Sequence, residues 1–341
     1  MTMSTPLLAA APLLAGLIGP ALIGAAPGAQ QDPPAFTPVH AAKRTRIVEH
    51  VAARSTADQR RVLGYWTPER MAKALPIDLL DVVTKGGLLS GLVAPRSTGG
   101  QTAPQRGHGK PQTSTIGSRW VTGGLVAKTT GRVFLTLEGA DFVCSASTVK
   151  SRNRDVVVTA GHCVKNGAGE WAANWTFIPG YETGGRQPFG QYPARRMFVA
   201  EPWSRSGDDN HDVGMVALAA PRGRHVADVV GTQEIAFNRP RGGQAFGFGY
   251  PADPPYDGDH LVYCAGRLKD DPYTQTRDQG LGCDMTAGSS GGPWMTSFDA
   301  GTGRGTITSL SSFKYSDDQH TMYGPYLGDA AKALFATAER A

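Results

Sequence analysis

No lysine or arginine precedes Lys43, and residues 6–29 carry no charge of either sign. A secretory leader normally opens with positive charge, so this absence leaves the apolar start with two readings. Pro12 and Pro20 interrupt the run, and a spanning helix tolerates proline poorly unless neighbours satisfy its backbone. Small residues (Ala25, Ala26, Gly28 and Ala29) close it, as they do before a leader cleavage point. Residues 1–29 therefore read as a signal peptide, with a retained anchor as the alternative. After cleavage, a secreted chain with no stable membrane association is expected.

Metal-ligand spacings are missing too. There is no Cys-x-x-Cys, and no histidine pair at a ligand spacing lies near the four cysteines. That argues against a zinc site, and neither metal nor cofactor is expected. A nucleic-acid footprint is also lacking. The formal charge is +5, with 12 Lys and Arg against 6 Asp and Glu up to Lys110, and 22 against 23 thereafter. The last two-thirds is nearly neutral and has no basic run interleaved with aromatics, so no nucleic-acid partner is expected. No internal repeat is found.

Glycine (44) and proline (24) are plentiful, and 40% of residues are hydrophobic. Such a chain can bury a core but favours turns and short strands. Thr67-Pro68-Glu69-Arg70 has the pattern of a helix start, with Thr67 as N-cap and Pro68 in the first turn; Pro76 stops it. Residues 97–114 are rich in Thr, Gly, Gln and Pro and read as a linker. Residues 30–117 are thus expected to be a partly helical pro-segment plus linker. From 118 to 341 short apolar runs recur between turn residues, among them 132–137, 143–149, 156–159, 175–178, 213–218, 246–250, 261–264 and 306–310. This spacing predicts an all-β barrel or sandwich, ending in a helix over 330–340 capped by Asp329.

Cys144, Cys163, Cys264 and Cys283 would be oxidised in an exported chain. Both sequence-near spacings are 19. Four cysteines allow three pairings; Cys144–Cys163 and Cys264–Cys283 are expected because each pair then sits in one half of the folded region.

The chemistry gathers at three places. Thr159-Ala160-Gly161-His162-Cys163 ends a β-branched run with a histidine that no buried strand needs. Asp212 stands at the entry to the apolar run 213–218. Gly288-Ser289-Ser290-Gly291-Gly292-Pro293 is a tight turn that can expose a serine Oγ while glycine lets backbone N–H groups point at a developing oxyanion. The order His162, Asp212, Ser290 differs from the orders Asp-His-Ser and Ser-acid-His used by other serine hydrolases.

On these motifs the region 118–341 resembles trypsin-like serine peptidases of the chymotrypsin-fold superfamily. It is most similar to secreted bacterial members, including the glutamyl endopeptidase-like branch. Thr159–Cys163 is similar to that family's histidine motif and Gly288–Pro293 to its serine motif. Cys144-Ser145-Ala146-Ser147 resembles the strand whose cysteine bridges to the one after the histidine. The resemblance implies two six-stranded antiparallel β-barrels, a triad of His162, Asp212 and Ser290, an oxyanion hole from the N–H groups of Gly288 and Ser290, and a monomer acting on polypeptides. It also implies a specificity pocket involving Asp284 and the segment Ser312-Phe313-Lys314. Asp284, six residues before Ser290, favours basic substrates, whereas Lys314 favours acidic ones. Ser311 stands where a glutamyl-specific pocket would have histidine. Ser289 replaces the aspartate that pairs with a new N-terminus in animal zymogens, so a pro-segment should act by occlusion or by assisting folding. The competing readings are a non-catalytic binding module, which an intact triad argues against, and an esterase, for which no lipid lid is found.

Overall fold

The computed structural model describes residues 45–77 and 111–341. The expected signal peptide (1–29), residues 30–44 and 78–96 of the expected pro-segment and residues 97–110 of the expected linker lie outside the described residues.

The first half uses β1 (Ile47–Val51), β2 (Leu75–Pro76), β4 (Thr130–Leu137), β5 (Ala140–Thr148), β6 (Val156–Thr159), β7 (Ala173–Pro179), β8 (Tyr192–Ala200) and β9 (Gly214–Leu218), with β3 (Thr115–Arg119) belonging to the second half. β8, β7, β4, β5, β6 and β9 follow one another, and β9 pairs back onto β8. Six antiparallel strands thereby close into a barrel, which leaves no free sheet edge. Val156, Val157, Val158 and Thr159 are all buried between β5 and β9. Their branched side chains suit a pleated surface that is covered throughout.

The second half contains β10 (Glu234–Ile235), β11 (Gln244–Gly249), β12 (Val262–Arg267), β13 (Lys269–Asp270), β14 (Gln279–Gly282), β15 (Pro293–Asp299), β16 (Arg304–Leu310), β17 (Phe313–Tyr315) and β18 (Asp318–Gly324). These form a six-stranded sheet, β10-β16-β15-β11-β12-β3, and a four-stranded sheet, β13-β14-β18-β17. The expected all-β, chymotrypsin-like architecture is present. Its second half divides its strands between two sheets, with register shifts at Tyr263/Ala265 and Trp294/Met295, where extra residues bend the strands. The chain closes on a helix, Asp329–Ala338, that buries Ala331, Leu334 and Ala338. Its N-cap is Gly328, not Asp329. The Asp329 carboxylate instead sits in the first turn and accepts from the Asn238 amide at 2.7 Å.

Residues 45–77 are built into the first barrel. β1 pairs antiparallel with the far end of β8, from Ile47↔Ala200 to Val51↔Arg196. Helix α1 (Thr56–Tyr65) starts at a capping box made by Ser55 and Asp58. Helix α2 (Pro68–Lys73) starts at Thr67, whose side chain accepts from the Arg70 amide as the sequence predicts. Between them Trp66 is 3% exposed, packs on Phe134 at 5.4 Å and donates to the Asn174 carbonyl. β2 then pairs in parallel with Phe142 and Val143 of β5. The expected boundary at 117/118 falls inside β3, which pairs with β12.

Candidate active site

β6 ends at Thr159, and the next three residues turn the chain over the end of the barrel. Gly161 answers for its place by contact: a Cβ there would stand 2.9 Å from Asp212 Oδ1 and 3.1 Å from the Trp203 ring. That closeness lets the His162 amide donate to Asp212 Oδ1 at 2.8 Å. The His162 ring places Nδ1 2.8 Å from Asp212 Oδ2. Cys163 holds the turn to β5 through its bond to Cys144. Asp212 reaches this point from a 3-10 turn, Asp209–His211, just ahead of β9.

Asp212 is 2% exposed. Burial pushes its carboxyl upward, but the His162 charge and ring bond, the Ser312 hydroxyl and the His162 amide overcome this and hold it below its usual value. An ionised acceptor at Oδ2 requires the proton on Nδ1, which leaves Nε2 of the neutral ring as a base. Among the described residues, neither His162 Nε2 nor Ser290 Oγ has a hydrogen-bond partner, and both atoms are buried. Hydrogen bonds between a base and its nucleophile are often open before substrate binds.

Ser290 is held from the first barrel. The Ser145 amide of β5 donates to the Ser290 carbonyl at 2.8 Å, and the Ser145 hydroxyl donates to the Gly288 carbonyl at 2.9 Å. Thr159 Oγ1 completes the junction by donating to the Ser145 carbonyl. Gly288 has φ +94°, and a Cβ there would approach the Tyr250 carbonyl at 2.9 Å; both facts demand glycine. The N–H groups of Gly288 and Ser290 have no acceptor among the described residues. Ser289 is buried, and its hydroxyl donates to the Thr286 carbonyl at 2.7 Å.

The trypsin family model matches residues 121–327. The chain belongs to the trypsin family. Two solved structures resemble this trypsin-family chain at a TM-score of 0.60 and 37% identity: protease Anisep from Arthrobacter nicotinovorans, and a thermostable serine protease AL20 from an extremophilic microorganism. The match covers 63% of this chain and 96% and 99% of theirs. A Glu endopeptidase structure shares the fold at 18% identity and TM-score 0.53. Among curated proteins, an extracellular metalloprotease of Bacillus subtilis is 32% identical over 104 residues, and a glutamyl endopeptidase of Bacillus licheniformis is 38% identical over 71. Those stretches span about a third and about a fifth of the two relatives and 30% and 20% of this chain.

In this trypsin-family chain the expected specificity residues part company. The Ser312 hydroxyl faces the histidine–aspartate pair, donating to Asp212 Oδ2 at 2.5 Å. Phe313 is buried and stacks on Tyr323. Asp284 Oδ1 accepts from the Tyr256 hydroxyl at 2.6 Å. Lys314 is buried, donates to the Gln319 carbonyl at 2.6 Å, and is pushed down to about 8 by burial, against the pull of Asp284 and Asp318. Two other contributors were not foreseen. Ser145 lies in the strand motif Cys144-Ser145-Ala146-Ser147, which marks the disulfide but not the serine's hold on Gly288 and Ser290, and Trp203 stands beside the His162 ring only in three dimensions. Cys144, His162 and Cys163 bring potential metal-ligand atoms together, but both sulfurs are joined in a disulfide. That donor set does not fit a metal.

Proposed function

We propose that the chain is a secreted serine endopeptidase that cleaves polypeptides through His162, Asp212 and Ser290. One observation carries this reading: a buried His162–Asp212 pair whose outer ring nitrogen, like Ser290 Oγ, has no other bond to make. Ser290 Oγ attacks the scissile carbonyl carbon while His162 Nε2 takes its proton. The carbonyl oxygen becomes an oxyanion, for which the free N–H groups of Gly288 and Ser290 serve as donors. His162 then protonates the leaving amine, the C–N bond breaks, and an acyl-enzyme remains. Water enters by the same base and releases the acid. Asp212 keeps the tautomer and stabilises the imidazolium.

Residues 45–77 act as the core of a pro-segment that assists folding. Their strands pair onto β8 and β5 of the first barrel, and Trp66 packs against it on Phe134. For specificity, Asp284 selects a basic residue before the scissile bond, and the neighbouring Lys314 charge opposes it. Lys314→Met should sharpen the preference for Lys and Arg in a peptide-library profile; a shift toward acidic residues overturns the assignment.

Ser290→Ala tests the catalytic reading. It should fold normally, lose labelling by a phosphonofluoridate, and lose activity on the order of 10⁶-fold, as removal of the nucleophile does in subtilisin. Retention of a tenth of the activity would remove Ser290 from the mechanism.

A further inference from the structure

β8 has two edges, and the rest of the barrel fills only one of them. On one side it pairs with β9 from Ala194 to Val199. On the other it meets β7 only at Tyr192 and Pro193. Residues 46–53 cover what remains. β1 pairs from Ile47↔Ala200 to Val51↔Arg196. The Ala52 and Ala53 amides donate to the Arg195 and Ala194 carbonyls, both at 3.0 Å, and the Glu201 amide donates to the Arg46 carbonyl at 2.9 Å. Taking the segment away would bare a row of unpaired amides and carbonyls, an edge that folded proteins cover or blunt. It would also strip buried side chains from the core, because Trp66, Met71 and Ile77 share one apolar cluster with the barrel. Nearer the surface, the Tyr65 hydroxyl and the Arg70 guanidinium both bond the Asp141 carboxylate, at 2.8 and 2.9 Å.

The same strand reaches the turn that carries His162 by two routes. Through the Arg46 carbonyl it holds Glu201, the first residue of the short helix Glu201–Ser206. That helix carries Trp203, whose indole N–H donates to the Lys165 carbonyl at 3.0 Å and whose ring would lie 3.1 Å from a Cβ on Gly161. Through His50 the strand stacks on the Trp171 ring at 5.2 Å. Trp171 is bridged to Lys165 by backbone pairing, and the Lys165 ammonium lies over its ring at 5.9 Å. The two routes meet at Lys165, whose amide donates to the Gly161 carbonyl at 2.9 Å. His162 therefore sits in a turn whose end is held by residues that β1 touches.

We propose that residues 45–77 are a lasting subunit of the working enzyme: they stay on the first barrel when the connection through residues 78–110 is cut, and β1 keeps the His162 turn in place. Their bonding partners Asp141, Asn174, Gln187 and residues 194–201 all lie in the first half. The segment that helps the barrel fold is thus not shed. Retention follows from these contacts alone, whereas the positioning role rests on the reading of His162 as the base.

Retention is tested on the full chain carrying Ser290→Ala, so that the outcome does not depend on catalysis. A recognition sequence for a narrow-specificity protease is placed within residues 97–110. The cut protein is run on a sizing column at about 1 μM, where a complex weaker than micromolar comes apart. The N-terminal fragment should co-elute with the remainder; its separation would overturn the proposal. Positioning is tested on the active chain. The cut should leave kcat/KM unchanged. His50→Ala should lower kcat about tenfold, short of the roughly hundredfold cost of a 1 Å misplacement, and leave KM as it was. His50→Phe, which keeps a ring on Trp171, should restore kcat. An unchanged kcat in His50→Ala, or a loss that His50→Phe does not restore, would overturn the positioning role. Activity that survives Ser290→Ala would instead undo the catalytic reading and leave retention standing.

Discussion

Ser312 shows how one hydroxyl changes role between sequence and structure. The sequence pattern Ser-Phe-Lys marks it as pocket lining, while its Oγ lies on Asp212. A hydrogen bond to a charged group is worth about 1.5–3 kcal/mol. Ser312→Ala should therefore lower kcat/KM by about 10- to 100-fold, with the thermal midpoint little changed. An equal loss from Ser312→Thr, which keeps the hydroxyl, would point to packing instead. Lys314 gives a pH signature. Its ammonium is pushed down to about 8 by burial, from 10.5 in the unfolded chain. Below about 8 both states are protonated, and the buried charge weighs on the native state in full. Between 8 and 10.5 the native state has shed a proton that the unfolded state still holds, so stability recovers as pH rises. The stability advantage of Lys314→Met over the parent, from denaturant unfolding, should be largest below pH 8 and shrink toward pH 10.5. A gap that does not change with pH would count against a buried ammonium. His162, Asp212 and Ser290 are named by short motifs that the structure brings to one place. The Trp203 ring beside His162 had no such signal: that contact exists only once the chain is folded.

Strands differ in how openly they declare themselves. β6 coincides with the run Val156–Thr159, because a strand covered on every side has only apolar positions to fill. β8 is hidden by Pro193, Arg195 and Arg196. Its arginines are settled outside the local pattern, Arg195 on the carbonyls of Leu218 and Ala341 and Arg196 on Glu49 of β1. The N-terminal segment hid its weight similarly. Its helix start at Thr67 was legible, but the β1–β8 pairing joins residues about 150 positions apart in a way that only tertiary structure discloses. Trp66 is the place to test that segment. Trp66→Ala removes a buried ring and leaves the Asn174 carbonyl without its donor. It should cost about 3–5 kcal/mol and depress the yield of folded protein. A variant as stable as its parent by chemical denaturation would show that residues 45–77 do not support the barrel.

Across the whole molecule, the two halves meet at Ser145. Its amide and hydroxyl hold the carbonyls of Ser290 and Gly288, and its hydroxyl accepts from the Tyr250 amide. Both ends of the Gly288–Ser290 turn are therefore registered on a strand of the other half, 143 positions earlier in the case of Gly288. This has a consequence in time. A ribosome delivers Ser145 long before Gly288, so these bonds form only after the later segment has been made. Until that docking the chain holds His162 and Asp212 but no seated Ser290, the proposed nucleophile. The connectivity therefore separates the making of the proposed base from the seating of the proposed nucleophile: one belongs to each half, and only their docking brings them into register.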